Sequence, residues 1–307
     1  MNFLSIWSFS NHFQKKVLPS IKSIKKLKII SILTSQNIKL KNIICYKDKY
    51  SFFLNNKFNF VYISSVNSKH YEHCKFALEN KKNVICEKPI CLKKSQLNNL
   101  KKIAIKNKKV FFEAIQYVHH PLFIKLKKIL NNKIIGKILR VDSSFKVPVN
   151  EKKNFRFNKK LGGGALYDTG YYPISIMFTL FNSKKISVLK KNIIKKNNLD
   201  IMGSIKTQNE DNIIFNLDWG FKSSYKNNIK IHGEKGIVEV NFIFSKKVIQ
   251  NGKIDILKNK KKLIKISKYN QISIAFQKML FPKKEFFKER YNTSIKILDI
   301  FERIKKK

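Results

Sequence analysis

The chain has 307 residues, with 65 Lys and Arg against 19 Asp and Glu, a formal net charge of +46 and only 10 Gly. That length buries a substantial core and predicts two domains rather than a small stapled module, and 43% hydrophobic and 12% aromatic residues are too many for a disordered chain. Specific nucleic-acid binding is not expected: only four basic residues are Arg (Arg140, Arg156, Arg290 and Arg303), the side chain that reads phosphates and base edges bidentately, and Lys is spread along the whole chain as A/T-rich codons would spread it.

Phe3 to Trp7 predicts a strand, His12 to Ile24 a helix and Leu27 to Leu33 a second strand, a βαβ opening. Between Gln36 and Tyr46 the chain is too short for a full helix, which leaves that face of the sheet thinly covered. A strand at Phe60 to Ser64, a helix from Ser68 to Glu79, a strand at Asn83 to Cys86, a helix from Lys93 to Ile105 and a strand at Val110 to Glu113 follow. Strands alternating with helices call for a parallel sheet covered on both faces.

After Pro121 the rhythm changes to one helix, a strand from Ile138 to Val147 and a glycine-led helix from Gly163 to Leu180. Longer alternating segments come next, among them Asn212 to Trp219, Ile229 to His232 and Ile237 to Phe242, which suit an antiparallel sheet with one wet face. Ile295, Leu298, Ile300, Phe301 and Ile304 lie near helical spacing ahead of a frayed Lys-rich tail. The expected class is therefore α/β, with a Rossmann-like domain over 1–118 and an α+β domain over 119–307. Cys45, Cys74, Cys86 and Cys91 form neither a CxxC pair nor a zinc spacing, so they read as buried thiols in a reducing compartment, with no metal. With no apolar run long enough to cross a bilayer and no basic region ahead of an apolar core, a cytoplasmic protein without a membrane partner is expected.

The densest chemical signal is Val84-Ile-Cys-Glu-Lys-Pro-Ile90, a β-branched strand running into a charged pair and a proline. In an open α/β sheet, ligands sit outside the carboxyl ends of the strands, so Glu87 and Lys88 would stand at the crevice. A Lys there donates a proton or polarises a carbonyl, although a solvated strand end followed by a turn is the ordinary explanation of such a segment. Farther along, Asp168 and Tyr172 are spaced i and i+4, one turn apart on one helix face, so Asp168 can orient a substrate hydroxyl while Tyr172 exchanges its proton. Free Tyr titrates near ~10, so this role needs a nearby cation such as Lys88. A core Tyr with a capping Asp is the simpler alternative.

Taken in order, Val61 to Tyr71, Glu87-Lys88-Pro89, Glu113 to Pro121 and Phe155 to Pro173 resemble the Gfo/Idh/MocA family of nicotinamide-dependent oxidoreductases over about residues 1 to 180, and Gly233 to Glu239 resembles its later turn-and-strand signature. The resemblance implies a Rossmann domain followed by a domain with a large, open, mostly antiparallel sheet. It places Lys88 at the reacting carbon, with the Lys88–Pro89 peptide cis, and gives Asp168 and Tyr172 the family's helix-borne Asp and His/Tyr positions. It assigns Asn67 and His70, with Ser65 and Glu87, to the ribose and nicotinamide side of the cofactor. Arg156, shortly before the glycine run, is a candidate for a phosphate or carboxylate on the substrate.

The chain departs from that pattern where a dinucleotide fold expects G-x-G-x-x-G/A after the first strand. No glycine precedes Gly136, and the aligned stretch is Ser8-Phe-Ser-Asn-His-Phe13. Ser8 and Ser10 stand for the first two glycines, followed by Asn11, and Phe13 stands for a small residue. A Cβ at the first position strains the turn if φ is positive, while hydroxyl and backbone contacts at the helix N-terminus can still serve phosphates. After the second strand stand Ser35 and Gln36, neither an acid for ribose hydroxyls nor an Arg for a 2′-phosphate. Val118 also replaces an Arg common in related sequences.

The expected function is an NAD- or NADP-dependent oxidoreductase moving a hydride to or from a secondary alcohol or ketone of a sugar, sugar nucleotide or polyol. Lys88 and Tyr172 would share proton transfer, and Asp168 would hold the substrate. The departures open one alternative, a degenerate non-catalytic relative kept as a binding or assembly partner. Phe215, Leu217, Trp219, Val238 and Val240 alternate so as to give the uncovered sheet an apolar face, implying a homodimer or homotetramer.

Overall fold

The computed structural model describes residues 1–54, 57–151, 154–245, 251–258, 260–282 and 284–306. The chain divides into two compact units, Met1–Gln116 with Ile272–Leu298, and Tyr117–Gln271 with Asp299–Lys307.

The first unit is built on six parallel strands in the order β3-β2-β1-β4-β5-β6. They are β1 (Asn2–Trp7), β2 (Leu27–Leu33), β3 (Ile44–Tyr46), β4 (Phe60–Ile63), β5 (Asn83–Cys86) and β6 (Phe111–Glu113). The central strands are apolar on both faces, as a covered parallel sheet requires: every residue of β4 is buried. Where polar groups do enter, they pair, as in the 2.6 Å bond between the hydroxyls of Ser5 and Ser31 on neighbouring strands.

Helix α1 (Leu18–Ile21) is preceded by a π-helical stretch, Phe13–Val17. Pro19 accounts for the wider turn, since it has no N–H to give to the ladder. No helix lies between β2 and β3, and α2 (Lys49–Leu54) comes only after β3. Helices α3 (Asn67–Glu79) and α4 (Lys94–Lys106) bury Cys74, Ala77, Leu78, Leu97, Leu100 and Ala104.

Sequence periodicity keeps everything after 119 in one domain; the structure instead packs Ile272–Leu298 with the first unit. The cause is apolar burial. Ile272, Ala275, Phe276, Met279 and Leu280 enter the same cluster as Leu4, Ile6, Phe13 and Tyr62.

The second unit carries α5 (Pro121–Asn131), a π-helical stretch Leu166–Gly170 running into α6 (Tyr171–Thr179), and eight strands. These are β7 (Ile138–Lys146), β8 (Ile186–Lys196), β9 (Leu199–Asn209), β10 (Ile214–Gly220), β11 (Lys226–Gly233), β12 (Gly236–Asn241), β13 (Gly252–Leu257) and β14 (Lys261–Ile266). Their order is β14-β13-β12-β11-β7-β10-β9-β8, antiparallel except between β7 and β10.

The alternation in this sheet corrects one expectation. Phe215, Leu217, Trp219, Val238 and Val240 are all buried at 1% exposure or less, within the unit's own core. The opposite rows are polar and bonded to one another. Asn216 Nδ2 donates to Asp142 Oδ1 at 2.7 Å, His232 Nε2 meets Asp142 Oδ2 at 2.8 Å, and Ser144 Oγ donates to Asp218 Oδ2 at 3.0 Å. An apolar homodimer or homotetramer face built on those five side chains is ruled out, because burial against their own unit leaves nothing to offer a partner.

Helix α7 (Gln271–Leu280) is followed by α8 (Lys284–Lys305), so the tail expected to fray stays helical to Lys305; Lys307 lies outside the described residues. Lys191 Nζ donates to the carbonyls of Arg303 and Ile304 at 3.4 and 3.3 Å, which satisfies acceptors the helix end leaves open. Among the described residues no helix is long and apolar enough to cross a membrane. No disulfide joins the four cysteines; Cys74, Cys86 and Cys91 are buried and Cys45 is half-buried.

Candidate active site

In the first unit the turn after β1 keeps a glycine-type backbone without glycine. Ser8 has φ 82°, held by its N–H on the Leu33 carbonyl at 2.9 Å and by its carbonyl, which accepts from Ser64 Oγ at 2.8 Å. Ser10 differs, with no positive φ; its hydroxyl accepts the Phe13 N–H at 3.1 Å and caps the helical stretch that follows. Phe13 is fully buried against Phe9 and Tyr62, so its ring fills the core rather than the crevice.

A cleft of about 460 Å³ opens at the carboxyl ends of these strands. Trp7 and Ser8 line it from β1, Thr34 and Ser35 from β2, and Lys47, Asp48 and Lys49 from the segment after β3. Sequence reasoning missed the last three, because nothing local marks a β2–β3 connection that lays β3 beside β2. The positive-φ turn and the polar, cationic walls suit the adenosine and phosphate portion of a dinucleotide. Of the sequence-assigned residues, Asn11, Ser35 and Gln36 are exposed, and the Gln36 amide donates to the Phe9 carbonyl at 3.1 Å.

At the carboxyl end of β5, Glu87 is a hub. Its Oε1 accepts from the Tyr62 hydroxyl at 2.7 Å and the Gln116 amide at 3.2 Å, and lies 3.4 Å from His12 Nε2. Burial opposes its charge, yet His12, the Tyr62 hydroxyl and Lys88 together hold its pKa below the usual carboxylate value. Lys88 follows, half-buried, and the Lys88–Pro89 peptide is cis.

His70 is placed differently from the expectation. It is 1% exposed, and both ring nitrogens face carbonyls at 2.8 Å, Nδ1 that of Pro89 and Nε2 that of Ser65. The ring links the loops that follow β4 and β5. Asn67 is buried as the first residue of α3. His73 stacks on Trp7 with ring centroids 4.0 Å apart and meets Ser65 Oγ at 3.0 Å.

Burial lowers the His73 pKa from 6.5 to about 4. Between those values the unfolded chain holds more protons than the fold, so stability is complete above about 6.5 and declines as pH falls toward about 4, by up to about 3 kcal/mol from this residue. Burial shifts His70 in the same direction. Urea unfolding at neutral and mildly acidic pH checks this, and His73→Gln is expected to flatten the dependence.

In the second unit, Asp168 lies on the π-helical stretch and Tyr172 in the first turn of α6. Asp168 Oδ2 accepts from Arg156 Nε at 2.5 Å, so the residue expected to read a substrate anion also fixes the carboxylate. Tyr172 is wedged between Phe145 at 4.7 Å and Phe244 at 5.5 Å between ring centroids. The start of this helix is set by Asp200 of β9, whose Oδ2 accepts the Leu166 N–H at 2.5 Å. Burial raises the Asp200 pKa despite that bond. Among the described residues no group of three or more His, Cys, Asp or Glu is placed to hold a metal ion.

Residues 10–115 match the oxidoreductase family, NAD-binding Rossmann fold, and residues 123–239 match the GFO/IDH/MocA C-terminal domain. The chain is 29% identical over 196 residues to trans-1,2-dihydrobenzene-1,2-diol dehydrogenase of Xenopus laevis, covering 63% of this chain and 59% of that protein. It is 26% identical over 187 residues to dTDP-3,4-didehydro-2,6-dideoxy-alpha-D-glucose 3-reductase of Actinomadura kijaniata, covering 60% and 56%. The chain thus spans somewhat more than half the length of the curated relatives it matches. A crystal structure of a 3-ketoreductase from Actinomadura kijaniata with NADP and TDP-benzene superposes with a TM-score of 0.92 over 99% of this chain and 96% of that one, at 17% identity, a likeness of fold.

Proposed function

The chain belongs to the GFO/IDH/MocA family of oxidoreductases, and on that premise we propose that it is an NAD(P)-dependent enzyme interconverting a secondary alcohol and a ketone on a sugar, sugar nucleotide or polyol. The observation that carries this is the Glu87-Lys88-Pro89 turn at the carboxyl end of a strand in the same parallel sheet whose β1 and β2 ends form the cleft. When bound, the nicotinamide supplies or accepts the hydride. Lys88 and Tyr172 exchange the proton with the substrate oxygen, so reduction adds one hydride to carbon and one proton to oxygen. Asp168, held by Arg156, accepts a substrate hydroxyl, and Arg156 presents the positive charge suited to an acidic substituent. The four cysteines, none in a disulfide, support a reducing compartment, the cytoplasm.

Titration with NADH and NADPH by calorimetry tests the proposal. Absence of binding at millimolar concentration of either would leave a non-catalytic relative as the better account. Ser8→Gly is expected to tighten binding of both by up to ~5-fold, since it removes a Cβ where backbone must approach the phosphates, a gain of order 1 kcal/mol. Ser10→Gly gives no such gain, because it removes a helix cap.

A further inference from the structure

Resting on that dinucleotide proposal, we infer that the cleft beside β2 takes a ribose bearing a 2′-phosphate, so that the chain selects NADP(H) over NAD(H), with Lys47 and Lys49 as the selecting residues. In dinucleotide folds the choice is made just beyond the second strand, where an acid takes the ribose hydroxyls or a cation takes the phosphate. Here Thr34, Ser35 and Gln36 supply neither. The charge arrives from another element: β3 lies parallel to β2, with Leu33 opposite Tyr46, and delivers Lys47, Asp48 and Lys49 to the cleft wall beside Ser35.

Among the described residues neither lysine is paired with an acid. Lys47 Nζ donates to the carbonyls of Ser35 and Gln36 at 2.9 and 2.6 Å and to Asn37 Oδ1 at 2.9 Å, three neutral acceptors. Lys49 Nζ lies over the rings of Tyr50 and Phe76, 5.0 and 4.7 Å from their centroids. Exchanging a neutral acceptor for a phosphate oxygen adds the attraction of opposite charges to an ammonium hydrogen bond.

Asp48 is the competing feature, since a carboxylate at this place would favour the free ribose hydroxyls of NAD(H). Its Oδ2 is committed instead to the N-terminus of α2, accepting the Ser51 N–H at 2.7 Å and the Ser51 hydroxyl at 2.9 Å. The bonds from Ser51 hold its pKa below the usual value. Two cations against one engaged acid leave this wall of the cleft positive.

Calorimetric titration of the full chain at low ionic strength, with NADPH and with NADH, reads the selection without any substrate. NADPH is expected to bind ~10-fold or more tightly than NADH, with the gap narrowing as salt rises. Lys49→Gln, whose parent side chain lies over the rings of Tyr50 and Phe76, should weaken NADPH by ~3-fold or more while NADH stays within ~2-fold. Adding Lys47→Gln should remove most of the preference, and the single variant keeps the test sound if the double variant does not fold. NADH binding as tightly as NADPH overturns the inference and leaves the oxidoreductase proposal standing. Failure of both nucleotides to bind overturns the two together.

Discussion

Lys88→Ala and Tyr172→Phe are each expected to lower turnover by ~100-fold or more with the fold intact, the loss typical of a proton-transfer group. Lys88 stands outside the end of β5, where a side chain faces ligand rather than core. It is half-buried, so its removal leaves no large cavity. Tyr172→Phe is the sharper test. The ring packs on Phe145 and Phe244, contacts that phenylalanine keeps, so only the hydroxyl is lost. Steady-state rates on sugars and sugar nucleotides, with circular dichroism of each variant, give the readout. Full activity in both variants would remove the mechanism.

Gly163→Ala is expected to destabilise the second unit by about 3 kcal/mol, from overpacking against backbone. A Cβ there would lie 2.7 Å from the Phe155 carbonyl oxygen and 2.8 Å from the Arg156 carbonyl carbon, with the Arg156 oxygen closer still. Those are main-chain atoms and cannot rotate away. Its neighbour is constrained differently: Gly164 has φ 115° and sits against the Asp200 carboxylate that caps the helix start. Calorimetric melting should show a fall of about 6 to 12 °C for Gly163→Ala. Because the same loop carries Arg156 against Asp168, activity should fall even where the variant remains folded. An unchanged melting temperature would show that the loop yields easily.

The parallel sheet was legible because its strands are nearly continuous apolar runs, and β1, β2 and β4 to β7 lie within a residue or two of where periodicity puts them. Strands β8 and β9 were not marked out. Strand β8 is an edge strand with eight of its eleven residues exposed, and β9 buries Gly203, Ile205, Thr207 and Asn209, a row too mixed to read as apolar alternation. Alternation in β10 and β12 shows which side chains share a face, yet not which face is covered. Helix α7 reads as amphipathic, but its return to the first unit is a long-range event with no local signature.

The site divides along the same line. Glu87, Lys88, Asp168 and Tyr172 stand out by residue type and spacing. Ser8 was identifiable as a strained position conditionally on its φ, and the structure supplies that angle. Lys47 and Lys49 could not be found, since their place depends on where β3 docks. His70 stands out by residue type, whereas its partners are carbonyl groups that carry no sequence signal.

That histidine has a mechanical meaning. Its ring joins Ser65, on the loop leaving β4, to Pro89, on the loop leaving β5. A neutral imidazole has one N–H, so it can grip one carbonyl firmly and only rest against the other. Exchange of tautomers moves the grip from one loop to the other without moving the ring. The loop that carries Lys88 is therefore tied through Pro89 to the loop that leaves β4, by a link whose stronger end depends on which ring nitrogen holds the proton.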